Sequence, residues 1–518
     1  MGNQSPESSS CAGDNEDELA SLRALGEHDE LSAALLAYLV HSGRVKLVPA
    51  STSNSESLIG QEGNDDKVEA WSDLPLAVKN NDISQLIAHA SRLHIHNRPQ
   101  PTARNLACNV KSRQVASSDC QGGFSSATKI GIMSQQRYLP NSSRVVARFV
   151  GKVTGGVFSS DGLAFMSMCQ DNYIRLFDVT HHRFKCFHAV ECRHVGYSVI
   201  DTHFSPDNSC LIYASWHDSI QLYRIYSDDK QHIALSLRPP NVSHFCPFSI
   251  RFSPDNNHIL AGGNDGCVYL YDQARGERTL RFLTSYGGDD GVSYDVNVVS
   301  YADESPNVVF SGGDDTLCMV WDLRIVNESH PRPVAAMAGH RGGITFIDSK
   351  GDSRYLITNS KDQTIKLWDI RHPSDTETLR NARVSVTAAA NWDYRWQAPP
   401  TLFDKQAEMA GDDSLMTYRG HQVLKCLIRS RFSPVHVTGQ RYIYSGCSSG
   451  NVIVYDVLTG EVVSQLRGHT STVRDASWHP YEQVICSSSW DGTHAWWEYV
   501  PERRDAVYNM ARKSGTAN

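Results

Sequence analysis

The sequence predicts an all-β protein, a seven-bladed β-propeller preceded by a largely disordered, partly helical N-terminal arm. Three observations carry that prediction. A unit of apolar-alternating strands around a small-residue/Asp turn recurs along the chain. Between Val308 and Arg371 it is written twice, as VVFSGGDDTLCMVWDLR and YLITNSKDQTIKLWDIR. The unit ends are Phe177-Asp178, Tyr223-Arg224, Tyr271-Asp272, Trp321-Asp322, Trp368-Asp369, Tyr455-Asp456 and Trp497-Glu498, spaced by 46, 48, 50, 47, 87 and 42 residues. Apart from the 87, these lie near the period of roughly 40–45 residues for such a blade. Six positions before each terminal aromatic stands a turn residue, and Asp171, Asp265, Asp315, Asp362 and Asp491 fill it in five units, against His217 and Ser449 in the others.

Residues 1–142 read as a flexible arm, rich in Ser, Asn, Gln, Asp and Glu and poor in aromatics. Two amphipathic helices are expected within it. At 15–41, Leu19, Leu22, Leu31, Leu35 and Leu39 keep helical spacing; at 82–93, Ile83, Leu86, Ile87, Ala90 and Leu93 form one stripe. The propeller is expected over 143–500. Its first segment, SRVVARFVG, is a strand without a blade of its own, so it should complete the seventh blade and close the ring, removing an exposed sheet edge. The long gap reads as an insertion at 372–419, between blades five and six, with an aromatic portion NWDYRWQAPP. Residues 501–518 form a tail with no good strand.

Gly-His pairs at Gly339-His340, Gly420-His421 and Gly468-His469 precede the last three units. A loop His, a strand Ser or Thr, the turn Asp and the strand Trp can form a relay that satisfies buried polar groups. In the fifth unit the candidates are His340, Thr358 or Ser360, Asp362 and Trp368.

Other function classes find little support. A net charge of −8 and a pI near 6.3 argue against a general polyanion binder, so no direct nucleic-acid contact is expected. No apolar run approaches the roughly 20 residues of a membrane helix. The 13 cysteines are scattered without CxxC pairs, which suits reduced thiols in a soluble intracellular protein, in nucleus and cytoplasm. HExxH, P-loop and GxGxxG patterns are missing, and no catalytic residue, metal or cofactor is expected. Gly446-Cys447-Ser448-Ser449-Gly450 fits GxSxG, yet it falls at a strand-turn-strand corner, where a nucleophile elbow needs strand-turn-helix.

These units resemble WD repeats, over residues 143 to about 500. Within them Trp321-Asp322-Leu323-Arg324 and Trp368-Asp369-Ile370-Arg371 spell WDxR in consecutive blades. That pair resembles the DWD box of substrate receptors for cullin-4-RING ubiquitin ligases. The resemblance implies an adaptor-binding surface with Arg324 and Arg371 as direct contacts, supported by Asp315, Trp321, Asp322, Asp362, Trp368 and Asp369. The implied partners are the damaged-DNA-binding-protein-1 adaptor, through it a cullin-4 scaffold, and an unidentified protein substrate. Arg suits the role because its planar fork makes bidentate, charge-assisted hydrogen bonds. Trp392-Asp393-Tyr394-Arg395 also spells WDxR but lacks the preceding repeat, so it is set aside. The whole layout is similar to the cullin-4-associated factor 11 subfamily and its plant LEC-fourteen-B relatives. A WD-repeat scaffold in a chromatin or signalling complex is the competing expectation, since propellers host many functions.

Overall fold

The computed structural model describes residues 139–227, 231–237, 245–284, 293–380, 382, 392–400, 403 and 411–500. The helices expected at 15–41 and 82–93, and the tail at 501–518, lie outside these residues. Seven four-stranded antiparallel sheets make up the described chain, each an up-and-down meander. Their innermost strands are Val153–Phe158, Val199–Phe204, Pro247–Phe252, Val296–Tyr301, Ile344–Ser349, Ser430–Phe432 and Val473–Trp478. Each packs on the innermost strand of the next blade, and the last packs on the first. The protein is a seven-bladed β-propeller.

Closure follows the sequence expectation. The strand Ser142–Arg148 pairs antiparallel with Thr493–Glu498, from Ser142 opposite Glu498 to Arg148 opposite Thr493, and so supplies the outer strand of blade seven. The core lies between blades. One cluster joins Ile212, Leu222 and Phe245 to Ile250, Ile259 and Tyr271 of blade three, and another joins Tyr355, Ile357 and Leu367 to Phe432, Ile443 and Tyr455 of blade six. Alternating strand residues reach both neighbours, and that two-sided burial explains why the strands read as dense Val/Ile/Tyr runs.

Among the described residues two blades contain the full relay, and chemistry fixes its direction. In blade five, Trp368 Nε1 donates to Thr358 Oγ1 at 2.8 Å, which lies 2.6 Å from His340 Nε2, while His340 Nδ1 lies 2.9 Å from Asp362. An indole can only donate and an ionised carboxylate only accept, so the hydroxyl donates to Nε2 and Nδ1–H donates to Asp362. Thr358, not Ser360, is therefore the strand member; Ser360 Oγ donates to Gly342 O instead. Blade seven repeats the relay with Trp497, Ser487, His469 and Asp491. Gly339 is glycine for a steric reason: a Cβ there would sit 2.8 Å from the Trp368 ring and 2.5 Å from Asp412 Oδ1. Blade six differs. His421 bridges Tyr455 OH at 3.0 Å and Asn359 Oδ1 at 2.9 Å, linking two blades rather than locking one.

The insertion is placed differently from the sequence expectation. It lies inside blade five, between the third strand Ile365–Asp369 and the fourth strand Met416–Tyr418, and not between blades five and six. The three-residue fourth strand is too short to show as a repeat in the sequence, which is why the segment looked like an interblade loop. After Arg371 the chain turns onto blade four. Ser374 N donates to Ala336 O at 3.0 Å, and Ser374 Oγ accepts from Ala338 N at 3.0 Å, so it covers that blade's outer edge. Asp375 caps a helical turn at 376–380 by accepting from Thr378 N. Leu379 and Ala382 then pack with Trp321, Leu317 and Phe282. On its return the segment is locked by a buried ion pair between Asp412 and Lys366, whose Nζ also donates to Thr417 Oγ1 at 2.9 Å.

Candidate functional site: two rims of the ring

In an up-and-down blade, the turns after the first and third strands emerge on one rim. The turn after the second strand and the link to the next blade emerge on the other. Arg324 and Arg371 follow third strands in adjacent blades and therefore share the first rim. Asp315 and Asp362, in the second-to-third turns, stand on the opposite rim, so they can support the arginines only through the blade. Trp321 and Trp368 are fully buried between those ends and hold the third strand in place.

The WDxR spacing produces a local fork. Asp322 Oδ1 accepts from Arg324 N at 3.0 Å, an Asx-type turn that folds the chain back. This brings the Arg324 side chain onto the same carboxylate, with Nε to Oδ1 at 2.9 Å and Nη2 to Oδ2 at 2.6 Å. Asp369 and Arg371 do the same, at 3.1, 3.2 and 2.9 Å. The hydrogen bond from Arg324 holds the Asp322 carboxyl below its usual range, and in return raises the guanidinium. The arginines keep 66% and 51% of their side-chain surface exposed, over carboxylates that are 15% and 0% exposed. Each is thus a cation whose orientation is set before any partner arrives.

Sequence reasoning missed a second arginine beneath one fork. Arg354, in the first-to-second turn of blade five, donates Nε to Asp369 Oδ2 at 3.0 Å and is only 19% exposed. Asp369 therefore serves two guanidiniums, and Arg371 is the outer one. The third WDxR also builds the fork, with Arg395 donating to Asp393 through N, Nε and Nη2 at 2.9, 2.8 and 2.6 Å. It ends on the other rim, however. Lys425 N, in the link into blade six, donates to Tyr394 O at 3.0 Å, and Lys361 Nζ lies 4.5 Å from the Tyr394 ring centroid. Next to it, Trp396 is 59% exposed.

Ser448 lies in the tight turn joining Tyr442–Gly446 to Asn451–Asp456, where Gly450 takes φ +86°, and its Oγ donates to Gln422 Oε1 at 3.3 Å. The turn leads into a strand and so lacks the geometry of a nucleophile elbow. Among the described residues, no group of three or more His, Cys, Asp or Glu could hold a metal. No helix among them is long and apolar enough to cross a membrane.

The channel along the ring axis holds a charge network that sequence reasoning also missed. Arg429 Nη2 reaches from blade six to Asp201 Oδ1 of blade two at 2.7 Å, and its Nη1 reaches Asp475 of blade seven at 3.3 Å. Arg251 takes the other Asp201 oxygen at 2.7 Å, and Arg431 pairs with Asp475. Arg251, Arg429 and Arg431 surround the Phe346 ring, at 5.8, 5.5 and 5.3 Å from its centroid. A usable signal was present, because Ile250-Arg251-Phe252-Ser253-Pro254 and Ser430-Arg431-Phe432-Ser433-Pro434 repeat Arg at one strand position. Burial opposes ionisation of Asp201, yet Arg251 and Arg429 hold its carboxyl well below the usual range.

Comparison with known proteins agrees with this architecture. The family model described as WD domain, G-beta repeat, matches residues 241–272, 331–369 and 460–498. The chain is 36% identical to the LEC14B homolog of Prunus armeniaca, over 81% of this chain and 88% of that protein. It is 39% identical to the LEC14B protein of Lithospermum erythrorhizon, over 73% and 79%. It is 38% identical to the DDB1- and CUL4-associated factor 11 homolog of Caenorhabditis elegans, over 71% of this chain and 65%, just under two thirds, of the nematode protein. With a WD-repeat ring and this level of identity, the chain belongs to the family of LEC14B proteins and DDB1- and CUL4-associated factor 11 homologs.

Proposed function

We propose that this protein is a non-catalytic substrate receptor of a cullin-4-RING ubiquitin ligase. The observation that carries the reading is a pair of pre-oriented, exposed arginine forks, Arg324 and Arg371, on one rim of adjacent blades in a chain of this family. One relative is named for association with DDB1 and CUL4. By this reading the two forks bind the damaged-DNA-binding-protein-1 adaptor, and the adaptor joins the ring to a cullin-4 scaffold. Asp322 and Asp369 fix the forks, while Trp321, Trp368, Asp315 and Asp362 hold the blades that present them. A target protein held elsewhere on the ring is brought close to the loaded conjugating enzyme, and the rate gain comes from effective concentration.

The test is the affinity of purified adaptor for wild type and for Arg324→Ala/Arg371→Ala, with circular dichroism and melting curves on both. Buried interface arginines cost about 2 kcal/mol or more each on truncation, so the double variant should bind at least about 100-fold more weakly while melting like wild type. Equal binding by a folded double variant refutes the role of the forks. No adaptor binding by wild type refutes the receptor reading and leaves a scaffold in another assembly.

A further inference from the structure

Among the described residues, the cations at the relay-rim mouth of the channel outnumber the carboxylates there. The mouth is built by a repeated irregularity. Register shifts interrupt the innermost strands between Val153 and Gly155, Val199 and Asp201, and Val473 and Asp475, at the same point in blades one, two and seven. These bulges leave Thr154, Ile200 and Arg474 outside the ladder and turn them toward the axis. Arg474 donates Nη1 to Thr154 O and Nη2 to Ile200 O at 3.0 Å, so it takes the two freed carbonyls and no carboxylate. It is only 8% exposed. Burial, then the charge of Arg429, holds it below the ordinary arginine value.

Two lysines stand with it. Lys152, in the link into blade one, lies over the Trp490 ring at 4.7 Å from the centroid. Lys425, in the link into blade six, is exposed at φ +71°. Lys425 directly precedes the buried Cys426, which packs with Val423, Ile428 and Trp490, the ring beneath Lys152. Nearby carboxylates are engaged elsewhere: Asp171 by Arg175, Asp491 by His469, and Asp201 and Asp475 by Arg251, Arg429 and Arg431. Asp348, which accepts from Phe432 N, lies deeper, toward the other end of its strand. Arg474 is also attracted by Asp475 and Asp201, but those two carboxylates already serve Arg251, Arg429 and Arg431, so among the described residues the mouth keeps an excess of positive charge.

We propose that this mouth is an oxyanion site for a phosphoryl group, with Arg474 and Arg429 at its floor and Lys152 and Lys425 at its lip. A doubly charged phosphoryl group matches the cluster better than a single carboxylate does. It can be met by two ammonium groups at once. Trp396, exposed and two residues beyond the Tyr394 whose carbonyl meets Lys425, is available to pack against whatever carries the phosphoryl group. The site is on the rim opposite Arg324 and Arg371 and does not depend on the adaptor reading.

The test is calorimetric titration of the full chain with inorganic phosphate, and with a short phosphoserine peptide and its Ser and Glu counterparts. Wild type should bind phosphate saturably, and Lys152→Glu/Lys425→Glu should weaken binding at least tenfold. Tighter binding of the phosphopeptide than of phosphate identifies a protein-borne group, and the reverse identifies free phosphate. Arg474→Met adds a second lesion, and if it does not fold the surface lysine pair still decides. Absence of saturable binding, binding unchanged in the lysine variant, or equal affinity for the Glu peptide overturns the proposal.

Discussion

Replacing Thr358 by Val keeps the shape of the side chain and removes one hydroxyl from the centre of blade five. Thr358 is fully buried, and its Oγ1 lies 2.8 Å from Trp368 Nε1 and 2.6 Å from His340 Nε2. The valine leaves both nitrogens buried without that partner. Each orphaned group costs about 1–3 kcal/mol, giving about 4 kcal/mol for the pair. A ring of about 360 residues unfolds with roughly 0.75 kcal/mol/K of entropy at about 2.1 cal/mol/K per residue, so Tm should fall by about 5 °C. Calorimetry on wild type, Thr358→Val and Ser449→Ala provides the comparison. Ser449 is exposed and accepts from Asn451 Nδ2 in a blade without the relay, so its loss should shift Tm by less than about 1 °C. A Thr358→Val melt within 1 °C of wild type, or a Ser449→Ala shift as large, would refute the relay as a stabilising unit.

Three further outcomes follow from the same geometry. Arg354→Ala leaves the buried Asp369 without its inner partner and should cost about 3 kcal/mol, whereas Arg371→Ala, at the exposed end of the same carboxylate, should cost less than about 1 kcal/mol; urea denaturation separates them. Deleting residues 142–148 removes six ladder partners of Thr493–Glu498, about 6 kcal/mol at ~1 kcal/mol each, and uncovers a sheet edge, so light scattering on heating should show earlier aggregation. Stability should fall on acidification below pH 6.5. Burial pushes His421 down to about 4, and His203 and His494 to about 3. Because the folded state binds fewer protons than the unfolded chain, the stabilisation is complete above about 6.5 and is lost as pH falls through the folded values; His421 alone contributes about 3 kcal/mol. Asp348, raised by burial to about 6, works the other way between 6 and 4, and the three histidines outweigh it. A melting temperature flat from pH 7 to 4.5 would contradict this sign.

The candidate site was legible where it is local. WDxR forms its fork within three residues, because the Asp carboxylate that accepts the backbone N–H two positions on is already placed to receive that residue's side chain. Reading Arg324 and Arg371 from sequence therefore needed no tertiary information beyond the repeat. The same rule explains why the spelling alone misleads: Trp392-Asp393-Tyr394-Arg395 forms an equal fork, and only its position after no third strand sends it to the other rim. Arg354 was hidden because it lies 15 residues from Asp369 and meets it through a cross-strand pairing.

By itself the sequence determined the number of blades, the closing strand, the relay members other than the choice of Thr358, and the two exposed forks. All of these are set by a period or by contacts within one blade, and a recurring local pattern is visible without knowing how blades face one another. Tertiary structure decided three things. It put the long segment inside blade five, along blade four's open edge. It separated Asp315 and Asp362 from the arginines by the length of a strand. It also assembled Arg429, Asp201, Asp475 and Arg474 across the axis. Those residues are up to 274 positions apart, as Arg474 and Ile200 are, and they meet because closing the ring brings seven innermost strands around one narrow channel. Strand bulges there recur at the start of the innermost strands and free backbone carbonyls, but which residues they bring together depends on the closure of the ring.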